Sequence, residues 1–119
     1  MGAPSVPLHE RDGYAAFVTS LTAVTLHEQW EAYVAKVGGK VFCLLGDSSG
    51  DIVFKVGEIA FDGLTELDGI EQAAYFAKRQ WVRVAPGTLE PELLKGYIRE
   101  SHRLIASKLT RKLRAELGI

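Results

Sequence analysis

Apolar and polar positions change period several times along this chain, and each change predicts an element. After Asp12, the residues Tyr14, Phe17, Val18 and Leu21 fall at helical spacing. They predict a short helix with one apolar face and Asp12 as its N-cap. The stretch QWEAYVAKV then alternates, with Trp30, Ala32 and Val34 set against Glu31, Tyr33 and Ala35, and predicts a strand. Gly38-Gly39 supplies the positive φ that a two-residue hairpin turn demands. KVFCLLG follows as a nearly continuous apolar strand, DSSG as a second turn and DIVFKVG as a third strand. Residues 30–57 are therefore expected to form an antiparallel three-strand meander.

Beyond it, Ile59, Leu64 and Leu67 share a helical face that Gly69 would end. QAAYFAKRQWVRV predicts two short strands, at Ala74–Ala77 and Trp81–Val84, with KRQ at the bend. The clearest pattern comes last. Leu94, Ile98, Ser101, Ile105, Leu109 and Leu113 recur every three or four residues after Glu90. Pro91 sits in the first turn, where its missing N–H costs little, and Gly118 stands at the C-terminal stop. These predict one continuous final helix. The order α-β(3)-α-β(2)-α implies an α+β fold, a two-layer sandwich with helices against an antiparallel sheet. Strands that come in runs argue against a parallel doubly wound sheet.

A length of 119 residues fits one domain, assigned to 12–119 after a loose, proline-bearing arm over 1–11. With 47% apolar and 24% charged residues the chain can build a core, which excludes a disordered class. The single cysteine, Cys43, rules out an intramolecular disulfide and suits a reducing compartment. No apolar run suits a signal peptide or a membrane span, so a cytoplasmic location without membrane contact is expected. The net charge of −1 hides an asymmetry: residues 1–74 carry four Lys/Arg against eleven acids, and residues 75–119 ten against four. Such a split marks either complementarity inside the fold or a basic surface for an anionic partner.

The candidate chemistries mostly fail on spacing. Ser101-His102 cannot act as nucleophile and base, because helix neighbours point about 100° apart. Ser101 lies on the apolar stripe and reads as a core serine. HEQWE, from His27 to Glu31, has glutamate where a zinc motif needs its second histidine. His9 and His102 lack ligand partners at metal spacing, so no metal site is expected. Cys43, among apolar neighbours, reads as an inert core thiol. Gly38-Gly39-Lys40 lacks the rest of a phosphate loop, and Asp47, Asp51, Glu58 and Asp62 lack the alternation of a calcium loop. No catalytic set and no cofactor is expected.

One feature remains. Lys78, Arg79 and Arg83 in the last hairpin join Arg99, Arg103, Lys108, Arg111 and Lys112 on the final helix. Lys95 and Arg114 lie with Arg99 and Arg103 opposite the apolar stripe, and Lys108, Arg111 and Lys112 lie on its flanks. Such a face meets phosphates by neutralising charge and releasing counterions, although a soluble amphipathic helix also needs a charged back.

Three stretches, in order, resemble the MmcQ/YjbR family of small bacterial proteins. They are VGGKVFCLL at Val37–Leu45, AAYFAKRQWVRV at Ala73–Val84 and LLKGYIRESHRLIASKLTRKLR at Leu93–Arg114. Gly39, Lys40, Val41 and Phe42 match the family's Gly-Lys-Val-Phe strand, and Trp81 and Val82 its Trp-Val strand. Ser101 matches the serine of the final helix, where His102 replaces the usual tyrosine, and Trp30 falls where the family has an aromatic before its first strand. The resemblance runs over residues 12–115 and implies the CyaY-like, secretion-chaperone-like sandwich, the same order read from periodicity. For function it implies only that relatives are often labelled as predicted DNA-binding proteins, and it carries no catalytic residue over. The expectation is a non-enzymatic domain whose basic hairpin-helix surface contacts nucleic acid. The alternative is a protein-interaction module that uses the sheet face or edge, with Tyr33, Phe54, Tyr75 and Phe76 as candidate surface aromatics.

Overall fold

The computed structural model describes residues 7–119. Its elements are α1 (Arg11–Thr19), β1 (Val24–Gln29), β2 (Ala32–Val37), β3 (Lys40–Gly46), β4 (Ile52–Lys55), α2 (Glu58–Leu64), β5 (Ile70–Gln72), β6 (Trp81–Val84), α3 (Pro91–Ala106) and α4 (Arg111–Leu117). Six strands form one antiparallel sheet in the order β1-β2-β3-β4-β6-β5. The α+β sandwich expected from the sequence is the one observed.

Five local expectations change. The first hairpin begins earlier, because β1 pairs with β2 through a two-residue turn at Trp30-Glu31. Both residues hold positive φ, 56° and 57°, where asparagine or glycine would be the usual choice. The meander therefore has four strands, and Trp30 is a turn residue. The strand expected at Ala74–Ala77 is a loop, while β5 forms at Ile70–Gln72. Gln72 stitches that loop shut: its Nε2 donates to Ala73 O at 2.8 Å and its Oε1 accepts from Arg79 N at 2.9 Å. The middle helix ends at Leu64 and buries Phe61 and Leu64, leaving Ile59 and Leu67 exposed.

The long final helix is broken in two. Thr110 caps α4, accepting from Leu113 N at 3.1 Å, and Gly118 closes it at φ 76°. Turning the chain between the two helices lets Leu109 settle against Gly38 in the β2–β3 turn. At the N-terminus, residues 1–6 of the expected loose arm lie outside the described residues. From there on the arm is docked rather than loose: Leu8 is buried, His9 Nδ1 donates to Gly50 O at 2.7 Å, and Arg11 already opens α1.

α1 and α3 cover one face of the sheet. Tyr14, Phe42, Phe54, Leu94, Ile98 and Val82 are fully enclosed there, and Tyr97 stacks on Phe54 at 5.9 Å. Burying each large side chain contributes about 1.5–3 kcal/mol. β3 carries one extra residue, Phe42, where its register with β2 shifts. Ser101 of α3 fills the gap this opens, donating to Phe42 O at 2.6 Å and accepting from Lys55 N at 2.8 Å.

Candidate nucleic-acid interface

An antiparallel sheet has two ends, and the unpaired cations of this one are distributed unevenly between them. At one end stand the β1–β2 and β3–β4 turns and the start of α1, carrying Glu10, Asp12, Glu28, Glu31, Asp47 and Asp51. At the other end β2 and β4 finish, β3 and β6 begin, and α3 runs out into α4. That end carries Lys36, Lys40, Lys55, Lys108, Arg111 and Lys112, none with a carboxylate within 4.0 Å among the described residues. Glu58 and Asp62 of α2 and Glu116 of α4 also lie at this end, with Asp62 paired to Arg79, so what distinguishes it is an excess of unpaired cations.

The basic residues singled out from the sequence do not share one surface. Lys78, Arg79, Lys108, Arg111 and Lys112 belong to the basic end. Arg79 is held there by Asp62, with its Nη1 at 3.1 Å, and by the face of Phe61. Arg83 points from β6 toward the acidic end, where Asp51 at 3.6 Å and Glu71 both pair with it. Arg99 lies over Phe17 of α1, 5.2 Å from the ring centre, beside Lys95, which also pairs with Glu92 at 3.2 Å. Arg103 grips Glu100, with Nε at 2.9 Å, and that hydrogen bond holds the Glu100 carboxyl below its usual range. Arginines engaged in this way are less available to a phosphate than the lysines at the basic end.

Lys36, Lys40 and Lys55 were missed by sequence reasoning because they sit in the acidic half of the chain. Lys55 is the unusual one. It is only 9% exposed, its backbone N–H is tied to Ser101, and the charge of Lys108 acts on its ammonium. Partial burial, and then the Lys108 ammonium, push its pKa down to about 8 from an ordinary 10.5. The unfolded chain therefore binds more protons between those values, so the native protein gains stability as pH rises from about 8 to 10.5. Lys55→Met, which keeps the stem and removes the charge, is expected to stabilise the fold at neutral pH by about 1 kcal/mol, solvent screening included. Urea unfolding at neutral and at alkaline pH checks this. The advantage should shrink across that window, and a constant gap would mean that the Lys55 ammonium is unperturbed.

The remaining candidates read as structure. Ser101 is fully buried and spent on the sheet, while His102 turns away and donates Nε2–H to Thr22 O at 2.8 Å. Cys43 is enclosed, and burial pushes its thiol up to about 12, which makes it inert. The buried Tyr14 hydroxyl has no hydrogen-bond partner among the described residues, and burial raises its pKa far above the ordinary value. His27 stands exposed on β1 beside Thr25, and Glu31 lies in the next turn, so HEQWE gathers no ligand set. Among the described residues no group of three or more His, Cys, Asp or Glu is placed to hold a metal ion, and no helix is long and apolar enough to cross a membrane. On the sheet face opposite α3 an apolar groove of about 560 Å³ runs between Trp30 and Tyr75, floored by Leu44 and Val53. Of the candidate surface aromatics, Tyr75 is fully exposed, Tyr33 and Phe76 are half-buried, and Phe54 is in the core.

A family model described as YjbR matches residues 19–104 of this chain. The chain belongs to the YjbR family. The match ends just past Ser101, so the α3–α4 junction and its basic residues lie beyond it. Two solved structures share the fold of this YjbR-family chain. A Deinococcus radiodurans protein with a DUF419 domain superposes with a TM-score of 0.84 at 24% identity, covering 98% of this chain and 93% of that one. A Pseudomonas syringae protein gives 0.69 at 19% identity, over 80% and 97%. No curated protein matches the chain.

Proposed function

We propose that this domain is a non-enzymatic nucleic-acid-binding protein that contacts phosphates with the basic end of its sheet and the α3–α4 junction. The observation that carries this reading is the set of cations there, Lys36, Lys40, Lys55, Lys108, Arg111 and Lys112, without carboxylate partners within 4.0 Å among the described residues. An excess of unpaired cations at that end would orient the molecule toward a polyanion as it approaches. Contact with about four phosphates should cost about a hundredfold in affinity between about 50 and 200 mM salt.

Fluorescence anisotropy of labelled single- and double-stranded DNA and RNA at both salts tests this. Reversing Lys108, Arg111 and Lys112 to glutamate is expected to lower affinity at least a hundredfold at the lower salt, with the fold retained. Arg99→Glu with Arg103→Glu should weaken binding less, because Arg103 is already paired. Arg83→Gln should leave affinity within about twofold, since Arg83 stands at the far end. No binding by the wild-type chain at the lower salt would sink the assignment.

A second reading is favoured by the groove between Trp30 and Tyr75, with Trp30 66% exposed. An apolar groove on a sheet face suits protein docking. Association that persists at high salt and is lost in Trp30→Ser would support this use of the domain.

A further inference from the structure

We propose that two copies of this chain pair edge to edge through β1, joining their sheets into one. This pairing stands apart from the functional reading above. β1 is a free edge of the sheet, with β2 as its only strand neighbour. It is six residues long and carries none of the usual guards of an edge: no lysine, no proline and no bulge against β2. The opposite edge, β5, is protected by being only three residues long.

The Trp30-Glu31 turn fixes which backbone groups β1 offers. Two turn residues with positive φ make the flanking Gln29 and Ala32 a hydrogen-bonded pair. Bonding alternates along an antiparallel ladder, so Thr25, His27 and Gln29 bond to β2. Val24, Leu26 and Glu28 then turn one N–H and one C=O each outward, and no backbone partner meets them among the described residues. A two-fold axis through Leu26 satisfies them all. Leu26 stands opposite Leu26 of the second copy, and Val24 of each copy opposite Glu28 of the other. Each of these pairs exchanges both of its hydrogen bonds. A register shifted by two residues would leave one residue of each copy unpaired.

The side chains agree with that register. Val24 and Leu26 lie opposite the buried Val37 and Ala35 of β2, on the helix-covered face, yet they are only half-buried where the core reaches this edge. A second copy sets Leu26 on Leu26 and continues the core. On the other face Thr25 meets His27 of the second copy, a pair that already bonds within one chain at 2.8 Å. No like charges are opposed, because Glu28, paired with Arg11 at 3.8 Å, faces Val24. The same strand serves both copies, so the contact closes at two.

The test is sedimentation equilibrium of the full chain from about 10 µM to about 1 mM, at low salt and at about 0.5 M. A dimer that persists at the higher salt is expected. Leu26→Pro removes an outward N–H and spares the bonds to β2, so it should weaken pairing at least about tenfold with an unchanged far-UV circular dichroism spectrum. Should that variant unfold, cross-linking decides. Leu26→Cys should oxidise to a covalent dimer, because its opposed Cα atoms would stand about 5.5 Å apart. Thr25→Cys should link far more slowly, since its Cα atoms would lie diagonally, about 7–8 Å apart. The native Cys43 is buried and takes no part. A chain that stays monomeric throughout, a dimer that the higher salt dissociates, or equal cross-linking by the two cysteine variants would overturn the proposal. So would a dimer lost in Trp30→Ser and kept in Leu26→Pro, which would make the apolar groove the interface.

Discussion

Replacing Ser101 with alanine is expected to destabilise the fold by about 3 kcal/mol, a large share of what a domain this size has to lose. The serine hydroxyl makes two hydrogen bonds in a place with no access to water, one to Phe42 O at 2.6 Å and one from Lys55 N at 2.8 Å. Both partners are backbone groups left over where β3 and β4 part, just past the Cys43–Phe54 pair. Alanine strands a carbonyl and an N–H together, each costing about 1–3 kcal/mol. The space vacated is too small for a water to take over. Urea unfolding should show a lower midpoint with an unchanged slope. Ser107→Ala is the matched control. Its hydroxyl bonds Leu104 O at 2.8 Å on the surface, and losing it should cost less than about 0.5 kcal/mol. Equal effects from the two serines would refute the bridging role of Ser101.

The second large effect is expected at the β2–β3 turn. Gly38 has φ 58°, and a Cβ placed on it would stand 2.6 Å from Leu109 Cδ1. Leu109 is 6% exposed, so making room for that Cβ means turning the tip of its side chain and repacking it within the core. Gly38→Ala therefore combines a left-handed backbone penalty of about 1 kcal/mol with overpacking of about 1–2 kcal/mol. Gly39→Ala shares the backbone term alone, since φ is 81° there and nothing lies within 4 Å. Thermal unfolding should separate the two by several degrees. Because Leu109 seats the α3–α4 junction, Gly38→Ala should also weaken nucleic-acid binding more than Gly39→Ala does.

Where the sequence reading missed, the reason is physical in each case. β1 escaped notice because the Trp30-Glu31 turn holds positive φ without the glycine or asparagine that would announce it. The strand expected at Ala74–Ala77 lost to a loop that Gln72 ties together from one residue upstream, a bond that no local pattern reports. The helix break was half legible, since Thr110 is a good cap. The docking of Leu109 on Gly38, which rewards the break, joins residues far apart in the chain. The basic residues were visible as a composition. Which of them carboxylates would engage was not.

The sequence by itself determined the α+β class, the four strands recognised, the apolar stripe of α3, the inert core cysteine and the family. All of these follow from local periodicity, turn chemistry or short motifs, which act over a few residues. The tertiary structure decided the rest. It placed a serine from a helix as a rung between two strands, split the basic residues between two ends of a sheet, and brought Lys55 from the acidic half under the influence of the Lys108 charge from the basic half. Those outcomes depend on strand order and register, which are set only when distant segments pack together and their backbone groups must all find partners.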